Sequence, residues 1–233
     1  MTTATDSPPE TRTALPYVVP MLGFVALTAA EGWIAGEWGA SRPIVYPVAY
    51  TFKIAIVACL AWRFRAAWRD LAPRPGALGL ALAALLGLVV AALWVGLDGL
   101  YPELGFLGKR TAFDPNVLSP AVRWAFLTVR MLGLVLIVPL IEELFWRSFV
   151  MRYAIDPDFA RVPIGRVTPL AAAITSVGFG FTHPEWLPAV LTGLAWAGLL
   201  ARTRSVLACV VSHSAANLAL GIYVIVCHDW KFW

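Results

Sequence analysis

The chain has 233 residues, of which 60% are hydrophobic and 14% charged, with a mean hydropathy of +0.74. A soluble domain is about 45–50% apolar and about 25% charged, so this composition excludes a soluble enzyme, a disordered chain, a collagen-like fibre and a disulfide scaffold. Three cysteines (Cys59, Cys209, Cys227), odd in number and without a CxxC pair, argue against a disulfide framework and a structural zinc site. The net charge of +4 reads as arginines anchoring loops at an anionic membrane face rather than as a nucleic-acid footprint.

A membrane-spanning helix needs about 20 mostly apolar residues. In chain order the apolar segments are residues 15–34, 43–62, 77–97, 122–153, 168–183, 187–201 and 206–226. They predict an all-α, polytopic membrane helix bundle of about seven transmembrane helices. Residues 1–14 read as a disordered tail and 15–233 as one integral membrane domain. The first segment reads as a retained helix, because no small-x-small cleavage site with a polar flank follows it. Arginines alternate with the segments: Arg63, Arg65, Arg69 and Arg74 follow the second, Arg152, Arg161 and Arg166 the fourth, and Arg202 and Arg204 the sixth. By the positive-inside rule the N-terminus is cytoplasmic and the C-terminus outside. Trp33, Trp38, Trp62, Trp68, Trp186, Trp230 and Trp233 stand at segment ends, where indoles favour the interface.

Titratable side chains inside apolar runs are costly unless paired or functional. On the fourth segment Glu143 and Arg147 stand at i, i+4 in the favourable order for an ion pair. Glu142 points about 100° away from them, so Arg147 neutralises Glu143 while Glu142 stays free. Pro139 removes a donor, bends the helix and leaves the Val135 carbonyl open. On the fifth segment Phe179 and His183 share a face, with Gly178 and Gly180 allowing close backbone approach. On the seventh, His213 and Asn217 share a face and can both donate to one oxygen. Lys53 and Glu31 read as a structural contact with each other or with lipid, and Cys209, one turn before His213, reads as packing rather than as a nucleophile.

Each of these sites alone is compatible with a structural role, but together they form an inventory for peptide hydrolysis. Poor solvation raises a carboxyl pKa, which suits a general base. An imidazole facing that carboxylate can hold a water, and a second imidazole with a carboxamide can stabilise the oxyanion. One difficulty is depth. Glu142 and His213 lie about 9–10 residues from a cytoplasmic boundary, roughly 15 Å, whereas His183 is about 17 residues from Arg166. The fifth segment must therefore start within the membrane level, tilt strongly, or follow a tucked loop around Pro163-Ile164-Gly165.

The ordered set Glu142-Glu143-x-x-x-Arg147, Phe179-x-x-x-His183 and His213-x-x-x-Asn217 resembles the three motifs EExxxR, FxxxH and HxxxN/D of the CAAX-endopeptidase and bacteriocin-processing family of intramembrane proteases. The resemblance covers about residues 120–220. The length and first segment also look like the CAAX-protease-related branch that accompanies bacterial exosortase systems. The resemblance implies Glu142 as base with His183 as its partner in activating water, His213 and Asn217 as the oxyanion hole, and Glu143, Arg147 and Phe179 in support. It also implies a membrane-associated protein or peptide substrate, a site opening towards the cytoplasm, membrane lipid as partner and the bacterial inner membrane as location. No metal or other cofactor and no nucleic acid is expected. A zinc protease is the alternative chemistry, although no HExxH occurs. A non-catalytic scaffold or immunity protein is the alternative class, and a small transporter with a proton relay a third.

Overall fold

The computed structural model describes residues 13–38, 42–72, 74–108 and 112–233; most of the expected N-terminal tail, and Lys109 and Arg110, lie outside them. The described chain is helical: α1 (Leu15–Trp38), α2 (Val45–Arg63), α3 (Ala77–Gly96), α4 (Pro120–Tyr153), α5 (Pro169–Gly180), α6 (Trp186–Thr203) and α7 (Val206–Cys227). Each answers one apolar segment of the sequence. Among the described residues α1, α2, α3, α4 and α7 are long and apolar enough to cross a membrane, while α5 has only 12 residues. At 1.5 Å per residue α5 is about 18 Å long, short of the ~30 Å hydrocarbon core.

Helix starts follow local chemistry. Pro120 and Pro169 sit in the first turns of α4 and α5, where a missing N–H is harmless. The side chains of Thr168 and Ser205 cap α5 and α7 by accepting from Ala171 N and Ala208 N. The interior of α4 is less regular: Gly133–Ile137 and Leu144–Val150 are wound as π-helix. The first π stretch ends just before Pro139, which cannot donate into the ladder.

α4 is central and packs against α1, α2, α5 and α7. α3 lies along α7, closest at Gly87, where a Cβ would stand 2.2 Å from the Ser212 carbonyl oxygen. α5 pairs with α6, where a Cβ at Gly193 would stand 2.7 Å from Ser176 Cα. Such close approach by small residues is how helices associate where lipid removes the hydrophobic driving force. The outer surface is apolar, with Leu22, Phe52, Leu85, Leu170 and Val226 exposed, as a lipid-facing surface must be.

The stretch between α4 and α5 folds back onto the bundle. Phe159 and Val162 are buried, and the Phe159 ring meets Tyr17 and Phe149 at 5.5 and 5.0 Å between centroids. This is the tucked approach that the sequence leaves as one of three options. Gly165, at φ +86°, touches the Cα of Arg204 in the turn before α7, where a side chain would collide.

One expectation needs correction. Arg152 is not a loop charge at the membrane face. It is 2% exposed and its Nη2 lies 2.5 Å from Asp70 Oδ2. The same oxygen accepts from Tyr17 Oη and Ser148 Oγ, each at 2.6 Å, and Arg152 Nε donates to the Ser148 carbonyl. An arginine needs its charge matched when buried, and the carboxylate for it comes from a segment that reads as a solvated, arginine-rich loop.

Candidate active site

Four helices supply the site. α4 brings Glu142 (4% exposed), Glu143 and Arg147, α5 brings Phe179, α6 brings Trp196, and α7 brings His213. Phe179 lies ten residues into α5, about 15 Å, and Glu143 ten residues from the Tyr153 end of α4, seven of them wound as π-helix. The short α5, entered from the tucked loop, thus delivers its phenylalanine to the level of the glutamates.

Glu143 is the hub. Its Oε1 lies 3.0 Å from His213 Nδ1, and its Oε2 lies 3.4 Å from Arg147 Nε without hydrogen-bond alignment. The guanidinium carbon of Arg147 sits 5.1 Å from the Phe179 ring centroid and 5.4 Å from that of Trp196. Trp196 stacks on His213 with centroids 4.4 Å apart and donates its indole N–H to Ser212 Oγ at 3.0 Å. A carboxylate on Nδ1 and an indole on the face fix the plane of His213 and direct Nε2 away from Glu143. Glu142, by contrast, keeps its Oε2 buried and without a hydrogen-bond partner.

His183 lies past the C-terminal end of α5, in the turn towards α6, and not within the helix as the apolar run suggests. Its Nδ1 is 2.9 Å from the Phe179 carbonyl and its ring touches Phe179 (4.5 Å) and Trp94 (5.7 Å). Phe179 is therefore wedged between the two imidazoles, with His213 at 6.3 Å. Asn217 Nδ2 donates to the Leu134 carbonyl at 2.8 Å. That is the oxygen Pro139 would serve in an i→i−5 ladder. The carbonyl that Asn217 takes up is thus Leu134, in the π turn, where an unbroken α-helix would open Val135. His213 and Asn217 make these contacts with α4 on separate acceptors, so their shared face meets α4 at two points.

Sequence reasoning missed Trp196, Trp94, Ser212 and Arg130. For Trp196 a signal existed: like Trp146 it stands well inside an apolar run rather than at its end. Both are buried. Cys209 is buried with its Sγ 3.6 Å from the Trp196 carbonyl, a packing role. The Lys53–Glu31 contact is present at 2.7 Å. No group of three His, Cys, Asp or Glu side chains that could hold a metal ion occurs among the described residues.

A lipid-facing bundle that buries two adjacent glutamates against an arginine and an imidazole defines an integral membrane protein with a polar cluster inside it. Residues 124–219 match the model of the family described as type II CAAX prenyl endopeptidase, Rce1-like, a match that supports membership of the CAAX-protease (CPBP) family of membrane proteases. No curated protein and no solved structure matches the chain.

Proposed function

We propose that this protein is an intramembrane endopeptidase that hydrolyses a peptide bond of a membrane-associated or lipid-linked protein with a water activated by Glu142 and His183. The observation that carries the reading is the asymmetry of the glutamate pair. Glu143 is held by Arg147 and His213, and the buried Oε2 of Glu142 is held by nothing. A carboxylate so placed takes a proton from water as the oxygen attacks the peptide carbonyl carbon. His213, held by Glu143 at Nδ1, turns its Nε2 edge towards the oxyanion. Asn217, anchored on Leu134 by one amide N–H, offers the other. Collapse of the tetrahedral species breaks the C–N bond, and the proton on Glu142 passes to the leaving amine. Arg147 offsets the charge of Glu143. His183 shares the water. The chemistry calls on no metal, and the catalytic core spans about residues 120–220 of one membrane domain. The N-terminus faces the cytoplasm of a bacterial inner membrane.

The test compares protein termini in cells carrying the parent and cells carrying Glu142→Gln. Termini present only with the parent identify the substrate, and with that substrate the purified variant loses about 10²–10⁴-fold in rate. Activity persists in a chelator, whereas loss in chelator and recovery with zinc would establish a metalloprotease. Identical termini in both strains, with full cellular function in the variant, would overturn hydrolysis and leave a scaffold.

A further inference from the structure

His183 is held at one ring nitrogen by the end of its own helix. Its Nδ1 lies 2.9 Å from the Phe179 carbonyl oxygen, which can only accept, so the contact assigns a ring proton to Nδ1. Thr182 agrees with this. Its hydroxyl gives its proton to the same carbonyl at 2.7 Å, so towards Nδ1, 3.2 Å away, the Thr182 oxygen is an acceptor too. A neutral imidazole protonated at Nδ1 carries its lone pair on Nε2. His183 stands half-buried in the turn after α5. Side chains in turns change rotamer within nanoseconds, so a fixed tautomer there needs a brace.

The brace comes from α3. Trp94, near the C-terminal end of that helix and 8% exposed, sets its ring edge-on to the imidazole, at 5.7 Å and 76°. A buried indole N–H normally finds an acceptor. That of Trp94 finds none among the described residues, so what this residue supplies is ring surface. Its place is set independently of His183: Gly87, two turns earlier on the same face of α3, is closed against Ser212 and Ala215 of α7. The backbone of the turn is tied separately, by Trp186 Nε1 donating to the Pro102 carbonyl at 2.9 Å. The imidazole ring itself is left to Trp94 and to Phe179, at 4.5 Å.

We propose that Trp94 is a positioning residue for His183: its ring keeps Nδ1 on the Phe179 carbonyl, so that Nε2 meets the attacking water as an acceptor. The water gives one proton to Glu142 while its second O–H donates to Nε2. Trp94 acts through the imidazole alone. The role rests on the hydrolytic reading above, but the positioning is measurable without a substrate.

The chain has three histidines, so full-length protein labelled with ¹⁵N in its imidazole rings and held in phosphatidylcholine nanodiscs gives three pairs of ring-nitrogen signals, assigned by replacing His213 and His228 one at a time. At alkaline pH, with the rings neutral, His183 carries its proton on Nδ1 in about tenfold excess over Nε2, the ratio one net hydrogen bond sustains, and Trp94→Leu brings the two forms within about threefold. Trp94→Phe keeps the parental ratio, and the His213 signals stay in place in both variants. Trp94→Met serves if the leucine variant does not purify as a monodisperse species. With the substrate that the comparison of termini identifies, Trp94→Leu lowers kcat about tenfold at nearly constant KM, and Trp94→Phe restores it. A parental His183 protonated on Nε2, an unchanged ratio in Trp94→Leu, equal shifts at His183 and His213, which mark general loosening, or a kcat within about twofold of the parent would each overturn the proposal. If the parent cleaves nothing, the hydrolytic reading fails, and the ring-nitrogen ratios still decide the positioning.

Discussion

Replacing Glu143 by Gln tests the charge accounting of the site through stability, without a substrate. The change keeps shape and removes one charge. Arg147 and Glu143 are both inaccessible to solvent at their side chains and 3.4 Å apart. At an effective dielectric constant of 20, two unit charges at that separation attract by about 5 kcal/mol. Arg147 cannot shed its proton to escape the loss. Breaking a buried pair on one side costs about 3–5 kcal/mol, and we expect Glu143→Gln near the lower end of that range. The double variant Glu143→Gln, Arg147→Met removes both charges and should recover most of that cost, standing about 3 kcal/mol above the single variant, because replacing a whole buried ion pair is often close to neutral. Reversible unfolding in mixed micelles with increasing sodium dodecyl sulfate measures both. A single-variant cost below about 1 kcal/mol, or a double variant no more stable than Glu143→Gln, would refute the view that Glu143 is the ionised hub of the centre.

Three further outcomes follow from the packing. Gly87→Ala places a methyl 2.2 Å from the Ser212 carbonyl oxygen and 2.8 Å from Ala215 Cβ, so α3 must move off α7; about 1–3 kcal/mol is lost in the same micellar assay, whereas Gly96→Ala, which meets nothing, changes little. Asp70→Asn leaves Arg152 buried without its carboxylate and costs about 3–5 kcal/mol, while Asp158→Asn, which breaks an exposed pair with Arg161, shifts the midpoint by less than about 1 kcal/mol. Asn217→Leu strips the Leu134 carbonyl of its donor and lowers stability by about 1–3 kcal/mol, with faster amide exchange expected across Gly133–Ile137.

What was legible in the sequence tracks the length scale of the physics behind it. Long apolar runs fix spanning helices because backbone groups in hydrocarbon must bond within their own segment. The seven runs accordingly fall on α1 to α7, and the Glu143–Arg147 pair follows from the i, i+4 rule alone. The end of α5 did not follow, because Phe181 and Thr182 are apolar enough to extend the run, although the helix stops at Gly180 and His183 sits in a turn. The π segments of α4 were illegible for a different reason. Winding by five residues is settled by what packs against the helix, and Asn217 stands 83 positions away from the carbonyl it serves. Asp70 and Arg130 show the same limit. One sits among arginines and reads as solvated, the other lies in an apolar run beside no local partner, and only the assembled bundle shows that one is matched and the other, among the described residues, has no carboxylate.

The oxygen shared by Tyr17, Ser148 and Arg152 belongs to Asp70, fifty residues ahead of α4. A fragment trimmed to the family-matching stretch would keep Ser148 and Arg152 and discard the carboxylate that neutralises them. The part of the molecule bearing the family signature is therefore not autonomous: its inner flank is completed by the leading helices, and any transplant of this centre into another scaffold must carry an acid to that spot.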